Sequence, residues 1–553
     1  MKFTIKKNNV VVQYTLLLTA LLFVLGSCTK FLDEKPTANL STDYKFTTNE
    51  EGRALVAGGY RSLRDAYTGG AGDYGNFLPA TLEYWTGGAW SSDSHPQAWK
   101  FETNQLSGSL LSDFDAYWNI NYQGVKDCNV AISKINGITE WTPAERSKWM
   151  GQMRALRALH YFNLVRYFGD VVMDTVLSTL NNAQQPRVSL KTIYDVVIIP
   201  DLEFAVASSL EDVAIDSKGP GYITKLMARA ILADVYLTCA GYPYQEVATD
   251  AAKNWCVDGL FSQSAYPVIN ASAAGFLQKA ADQLNALYGR YSLVSNYRAL
   301  HDPANNNRGE SIMQIQFLKG VATMSGFIGA TLPPAQKAAN MTEYGTLIPT
   351  IGYYNSYGPD DLRAKERQMF YTSDNVASVY DPSNPIVHFD QPYCFKYYDS
   401  AAQKSDGQVN LNFTLYRYSD ILLMLTEVNW TLKQNGVSIA DADLIKGINA
   451  VRARATLPAY RASDISLLTI FSERAWELVF ENKMIWDQRR SRKCLIDGVG
   501  SFAGIENFVG HQPTTFSYKF SNMNLLAPVS AGEIANNAKC LQNFNYQPKQ
   551  IGQ

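Results

Sequence analysis

The sequence predicts a mainly α-helical protein: helical hairpins stacked in series, with a long irregular insertion ahead of the last group. Three observations predict it. Apolar residues recur at steps of three and four over segments too long for strands. Ala155, Leu159, Phe162, Val165 and Phe168 form one such stripe, and Tyr418, Ile421, Leu425, Val428 and Leu432 another. Helix boundaries carry capping chemistry. From Tyr291 to about Leu415 the helical period is lost to Gly, Pro, Asn, Asp and Tyr, so loops and short strands are expected there.

In chain order, Asn49 to Tyr67 reads as the first helix, followed by a Gly- and aromatic-rich stretch from Gly69 to Ser107. Long amphipathic segments return at Ser112 to Asn136 and Thr142 to Phe168. Thr142-Pro143-Ala144-Glu145 supplies a capping Thr, a first-turn Pro and a Glu three residues on, and Gly169 closes the segment. Ser189 to Ser208 is helical with a kink or break expected at Pro200. Tyr222 to Leu237 carries small residues on its apolar stripe (Ile223, Leu226, Ala230, Ala233, Leu237), which permits close approach of a neighbouring helix. Ala273 to Tyr288, the run resuming at Tyr416, Asp441 to Ala455 and Ile465 to Met484 complete the helices; the end of the chain reads mostly as loop. No consensus repeats at a 34-residue period, so the residues themselves specify helical pairs and no named repeat. Trp118, Trp476 and Trp486 lie on helical patterns and read as core, and the charges of the C-terminal helices read as solvated faces.

The 553 residues are 46% apolar, ample for a large core in one large domain or two to four smaller units. Lys and Arg total 49 against 51 Asp and Glu, so no basic excess points to nucleic acid. Lys2, Lys6 and Lys7 precede an apolar run, Leu16 to Leu25, that is short for a membrane span. Leu25-Gly26-Ser27-Cys28 then matches a bacterial lipobox, in which Cys28 takes a diacylglycerol and becomes the mature N-terminus. Two or more acyl chains, each buried CH₂ contributing about 0.8 kcal/mol, hold a protein stably on a bilayer. No second apolar run is long enough to span. The remaining cysteines, Cys128, Cys239, Cys256, Cys394, Cys494 and Cys540, lack metal-site spacing and read as buried thiols or as partly bridged pairs.

Several segments, in order, resemble the SusD/RagB family. Cys28-Thr29-Lys30-Phe31-Leu32-Asp33 with Pro36 is similar to its lipidated start, and Arg154 to Val171 (RALRALHYFNLVRYFGDV) to its most recognisable helix and cap. Tyr416-Arg417-Tyr418-Ser419-Asp420-Ile421-Leu422-Leu423-Met424 resembles the family's "RYADVLLM" helix. Ile448 to Ala455 (INAVRARA) and Glu473 to Glu481 (ERAWELVFE) resemble its next two helices. Leu526-Ala527-Pro528-Val529-Ser530 and Gln542-Asn543-Phe544-Asn545-Tyr546 resemble its "PIP…QNPGY" ending, with Val529, Ser530, Phe544 and Asn545 as departures.

The resemblance implies tetratricopeptide-like helical hairpins cradling a loop-rich subdomain. It also implies a lipoprotein of the outer membrane, facing the exterior, that captures oligosaccharides and delivers them to a SusC-like TonB-dependent transporter, with no catalysis and no cofactor. A peptide-capturing member of the family, a lipid-anchored glycosidase and an envelope scaffold are the competing readings. The divisions expected are a signal peptide over 1–27, a lipidated tether over 28–45, an N-terminal helical region over 46–290 with the aromatic loop 69–107, the insertion 291–415, C-terminal hairpins over 416–490 and a loop-rich tail over 491–553.

Catalytic motifs are missing. The five His form no close metal pair, no nucleophile elbow or phosphate loop occurs, and pairing Glu83 with Asp93 is expected by chance among 51 acids. Binding has better candidates. Sugars present C–H faces to flat aromatics and hydroxyls to Asn, Asp, Gln and Arg. Tyr84, Trp85, Trp90 and Asp93, with Trp99 beyond, lie in a Gly/Ser segment without the period of a core helix, and they are the leading candidates. Tyr297, Asn307 and Arg308 form a second cluster; Tyr353, Tyr354 and Tyr357 form a third. Packing over the helical core is the competing role for each aromatic, and loop capping for the Asn-rich turn. The turn with Asp360, Asp361 and Arg363 resembles the family's "D-x-R" turn and reads as a structural ion pair.

Overall fold

A computed structural model of the chain describes residues 44–68, 78–91, 96–106, 112–176, 184–212, 221–247, 265–321, 347–375, 386–398, 409–543 and 546. Residues from Thr47 onward form one compact unit. Met1–Phe46 form another, of which only Tyr44–Phe46 are described, with the rings of Tyr44 and Phe46 edge to face at 5.0 Å. The lipobox, Cys28 and Cys256 therefore lie outside the described residues, as does Asp93.

Helices of eight or more residues are α1 (Asn49–Thr68), α2 (Ser112–Lys134), α3 (Pro143–Phe168), α4 (Ile199–Ala207), α5 (Lys225–Cys239), α6 (Ala271–Leu287), α7 (Tyr418–Gln434), α8 (Asp441–Arg454), α9 (Leu467–Glu477) and α10 (Met484–Ser491). Each from α1 to α8 packs on the next, so the apolar stripe of one covers that of its neighbour in a continuous helical series. At α3 the reciprocal capping box forms as expected: Thr142 Oγ1 accepts from Glu145 N, and the Glu145 carboxylate accepts from Thr142 N. Gly169 ends the helix at φ +73°. The break expected at Pro200 takes the form of one π-helical segment, Tyr194–Ile198, after which α4 starts with Pro200 in its first turn. Trp118, Trp476 and Trp486 are buried, as expected. No described helix is long and apolar enough to cross a membrane.

The short strands are β1 (Ala89–Trp90), β2 (Val171–Val172), β3 (Arg187–Val188), β4 (Ser311–Ile315), β5 (Ile348–Pro349), β6 (Phe370–Asn375), β7 (Ile386–Cys394), β8 (Phe413–Arg417), β9 (Lys493–Ile496) and β10 (Gly504–Asn507). They pair antiparallel two by two: β1 with β5, β2 with β3, β4 with β8, β6 with β7 and β9 with β10. Among the described residues between α6 and α7, the β4–β8, β6–β7 and β1–β5 ladders supply the regular structure outside short helical turns.

Three expectations are corrected. The run resuming at Tyr416 begins as strand, because Tyr416 and Arg417 pair with β4, and α7 starts at Tyr418. Ile465 to Met484 is two helices and not one. Phe480 and Asn482 adopt positive φ between α9 and α10, which no α-helix accommodates. The charges of the C-terminal helices are buried and not solvated. Arg452, Glu473 and Glu477 are all buried, and they meet Arg363, Arg417, Lys396, Glu310 and Glu481 in one ionic network. The Asp361–Arg363 pair forms as expected, at 2.7 Å, as one edge of that network. Among the described cysteines, Cys128, Cys239, Cys394, Cys494 and Cys540 are buried free thiols; burial pushes the Cys540 thiol up to about 11 and that of Cys394 to about 12.

Candidate ligand-binding face

The Gly-rich segment before Trp90 is a set of anchors. Thr86 Oγ1 donates to Glu83 O at 2.6 Å and accepts from Gly88 N at 2.9 Å. Gly87 turns at φ +77°, and a Cβ there would lie 2.4 Å from Pro513. Asn482 donates to Glu83 from its backbone N (2.7 Å) and side chain (2.9 Å), and Gln488 Nε2 donates to Thr86 O at 3.0 Å. Thr350 N closes the turn onto Gly88 O at 3.0 Å. The next residues are β1, which pairs Trp90 with Ile348.

Trp90 is thereby laid against a core of Ile348, Tyr371, Tyr393 and Phe395, on which Phe389 and Tyr398 also pack. These three outer aromatics pack on the core and are only half-buried. Phe395 and Tyr398 stack at 4.8 Å, and Tyr371 meets Phe389 edge to face at 5.2 Å. The guanidinium groups of Arg367 and exposed Arg298 approach the Phe395 ring at 5.4 and 5.9 Å. Gln391 Nε2 donates to Tyr393 Oη at 3.3 Å. The result is an aromatic ledge with amide and guanidinium donors at its margin, a surface for planar C–H faces and hydroxyls.

The structure separates the predicted site residues. Trp90 belongs to the ledge. Trp99 lies on the short helix Pro96–Glu102 and is 43% exposed. Tyr354 is half-buried and edges onto Phe370 at 5.3 Å. Arg308 is exposed. The others are corrections. Trp85 is 0% exposed, packed among Phe101 and Phe114 with Arg489 stacked 4.3 Å from its ring, and Tyr84 is buried beside it. Tyr297 is buried with its hydroxyl on Glu477 at 3.0 Å. Tyr353 and Tyr357 are buried, donating to Ala475 O (2.5 Å) and Trp476 O (2.9 Å). Asn307 spends its amide on Gln316 in both directions, at 2.8 and 2.9 Å, locking the turn before β4. Glu83 is buried and accepts both the backbone and the side-chain hydrogen bond of Asn482.

Phe389, Tyr398, Arg298, Arg367 and Gln391 escaped the sequence analysis. A signal existed for some: Phe389, Gln391 and Tyr393 alternate along β7 and share one face of a strand. Among the described residues, no group of three or more His, Cys, Asp or Glu is placed to hold a metal ion.

Comparison with known proteins agrees with this architecture. Residues 342–546 match a family model described as SusD family, and residues 30–237 match one described as starch-binding associating with outer membrane. SusD-like protein P38 of Formosa agariphila is 24% identical, over 94% of this chain and 98% of that protein. A SusD superfamily protein from Parabacteroides distasonis has a crystal structure that covers 91% of this chain and 100% of its own, at 29% identity and TM-score 0.79. Surface glycan-binding protein A from Bacteroides thetaiotaomicron, in complex with laminarihexaose, matches 90% of this chain and 100% of its own at TM-score 0.66 and 20% identity. With SusD-type family models matching residues 30–237 and 342–546, together about three quarters of the chain, the chain belongs to the SusD/RagB family.

Proposed function

We propose that this chain is a cell-surface glycan-binding lipoprotein that captures oligosaccharides on the Trp90 ledge, leaves them chemically unchanged, and passes them to a SusC-like TonB-dependent transporter. The carrying observation is the ledge itself. Trp90, Phe389 and Tyr398 pack on a shared core while staying half-buried, and Arg298, Arg367 and Gln391 contact Phe395 and Tyr393 of that core. Rigid aromatics lose little side-chain entropy on binding, which suits a receptor built from many weak contacts. The laminarihexaose complex of the structural neighbour supports oligosaccharide as the ligand class. The family-model description and the lipobox at Cys28 support an outer-membrane lipoprotein.

The test is a panel of soluble oligosaccharides titrated calorimetrically against wild type and Trp90→Ala. At least one wild-type ligand is expected, recovered intact. Loss of stacking is expected to weaken it by about 0.5–1.5 kcal/mol, roughly two- to tenfold, with the variant still unfolding cooperatively. Unaltered affinity in the variant, or cleaved glycan, refutes the reading. Anchoring is tested separately. Cys28→Ala is expected to leave the membrane fraction for the soluble one, and retention on the membrane refutes lipidation at that residue.

A further inference from the structure

α3, α5, α10 and the loop after β10 line a small, partly open cavity of about 30 Å³. Arg166, Arg489, Arg490 and Arg492 all line it, with Thr238 and Tyr242. Three of these guanidinium groups have acidic partners. Arg490 bonds Glu427 at 2.7 Å and Asp487 at 2.6 Å, Arg492 bonds Glu246 at 3.0 Å, and Arg166 lies 3.8 Å from Asp234. Arg489 has none: among the described residues no carboxylate lies within ion-pair distance of it. Its hydrogen bonds go to neutral oxygens only, those of Ile485 (3.3 Å), Gln488 (3.5 Å) and Asn524 (3.0 Å). Arg489 is 5% exposed, and its Nε–H finds no acceptor; nor does the Nε–H of Arg166, and the Thr238 hydroxyl on the same cavity wall is also unsatisfied.

Buried donors without acceptors and a buried cation without a counter-charge are each unfavourable, and here the residues that carry them line one cavity. Burial brings the Arg489 guanidinium down to about 9, the direction expected for a positive charge without an anion beside it. We propose that this cavity is an anion site that binds chloride, with Arg489, Arg166 and Thr238 as donors. The small size, about 30 Å³, favours a compact monatomic halide over a tetrahedral oxyanion or an organic acid. A water would satisfy some donors but leave the charge uncompensated.

The test uses the full mature protein in sodium chloride, bromide or gluconate at one fixed ionic strength. An anion bound only to the folded state raises the unfolding midpoint saturably. Chloride and bromide are expected to raise it by about 2 °C or more over gluconate, and bromide-equilibrated crystals to show an anomalous peak within hydrogen-bond reach of Arg489 Nε and Thr238 Oγ1. Arg489→Gln is expected to abolish the halide increment. Should that variant fail to fold, Thr238→Val, which removes a hydroxyl and keeps the shape, is expected to reduce it. Equal midpoints in the three salts, or a cavity without anomalous signal in bromide, overturn the proposal.

Discussion

Glu83 sits where the Trp90 turn meets the C-terminal half, and its protonation is part of that join. Burial pushes its carboxyl up, outweighing the two Asn482 donors and Lys396, to about 7 from an ordinary 4.5. The folded protein thus holds this proton more tightly than the unfolded chain does. The resulting stability is fully present below pH 4.5 and is lost as pH rises through 7. The shift corresponds to about 3 kcal/mol. Glu83→Gln keeps the neutral shape at every pH, so its stability relative to wild type is expected to climb by roughly that amount from pH 4.5 to 7. His160 and His301 act in the opposite sense. Burial brings both down to about 4, so their contribution is present above 6.5 and is lost as pH falls through 4. The difference between variant and wild type removes the histidine terms, which both proteins share. Chemical denaturation of the two proteins across this window measures it, and a difference that stays flat with pH would sink the assignment.

At the scale of elements, what could be read from the sequence was what is encoded locally. The cap at Thr142, the closing Gly169 and the disruption at Pro200 each depend on residues within one or two turns, and each is present. The apolar stripes of α3 and α7 are likewise local, and they set which faces meet. Tyr416 was misplaced because its strand exists only through pairing with β4, about a hundred residues earlier, while its own neighbours continue a helical stripe. The same distinction runs through the site. A Trp in a Gly/Ser segment has no helical period to explain it, which singles out Trp90 as a candidate, yet Trp85, five residues earlier in the same segment, is core. Only the fold distinguishes them: β1 turns Trp90 toward β5, whereas Trp85 falls between Phe101 and Phe114. Phe389 reaches the ledge on β7, and Tyr398, beyond the end of β7, packs on Tyr371 of β6; both are non-local contacts with no consensus in the chain.

On the scale of the whole compact unit, the buried ionic network decides how the loop-rich region is held on the helices. Its basic members are Arg363, Lys396, Arg417, Arg452 and Arg454, five against the five acids Glu310, Asp361, Glu473, Glu477 and Glu481. Glu310, Asp361, Arg363 and Lys396 come from the region between α6 and β8; Arg452, Arg454, Glu473, Glu477 and Glu481 come from α8, α9 and the turn after α9. Such a set reads in sequence as helix-surface pairs, but Glu473, Glu477 and Glu481 recur every fourth residue, a spacing that piles like charge together unless cations cover it. Glu477 is the hub. Arg417 donates to it at 2.6 Å, Tyr297 at 3.0 Å and Arg363 at 3.4 Å, and Arg454 pairs with it as well. Burial raises its carboxyl, but Arg454, Arg417 and Arg363 outweigh burial and bring it down to about 2, so it is ionised throughout the physiological range. Swapping such a network for apolar residues can be neutral, whereas removing one charge leaves the rest uncompensated in a dry interior, at about 3–5 kcal/mol. Glu477→Gln, nearly isosteric, is therefore expected to lower the unfolding free energy by about that much. Because its partners span both regions, amide exchange is expected to accelerate in β4, β8 and α9 together, while α1 and α2, which lack network residues, change only with global stability. Denaturant titration and exchange measured on the same variant test this. A loss under about 0.5 kcal/mol would mean that apolar packing alone holds the loop-rich region in place, and acceleration confined to α9 would mean that the network does not couple the two.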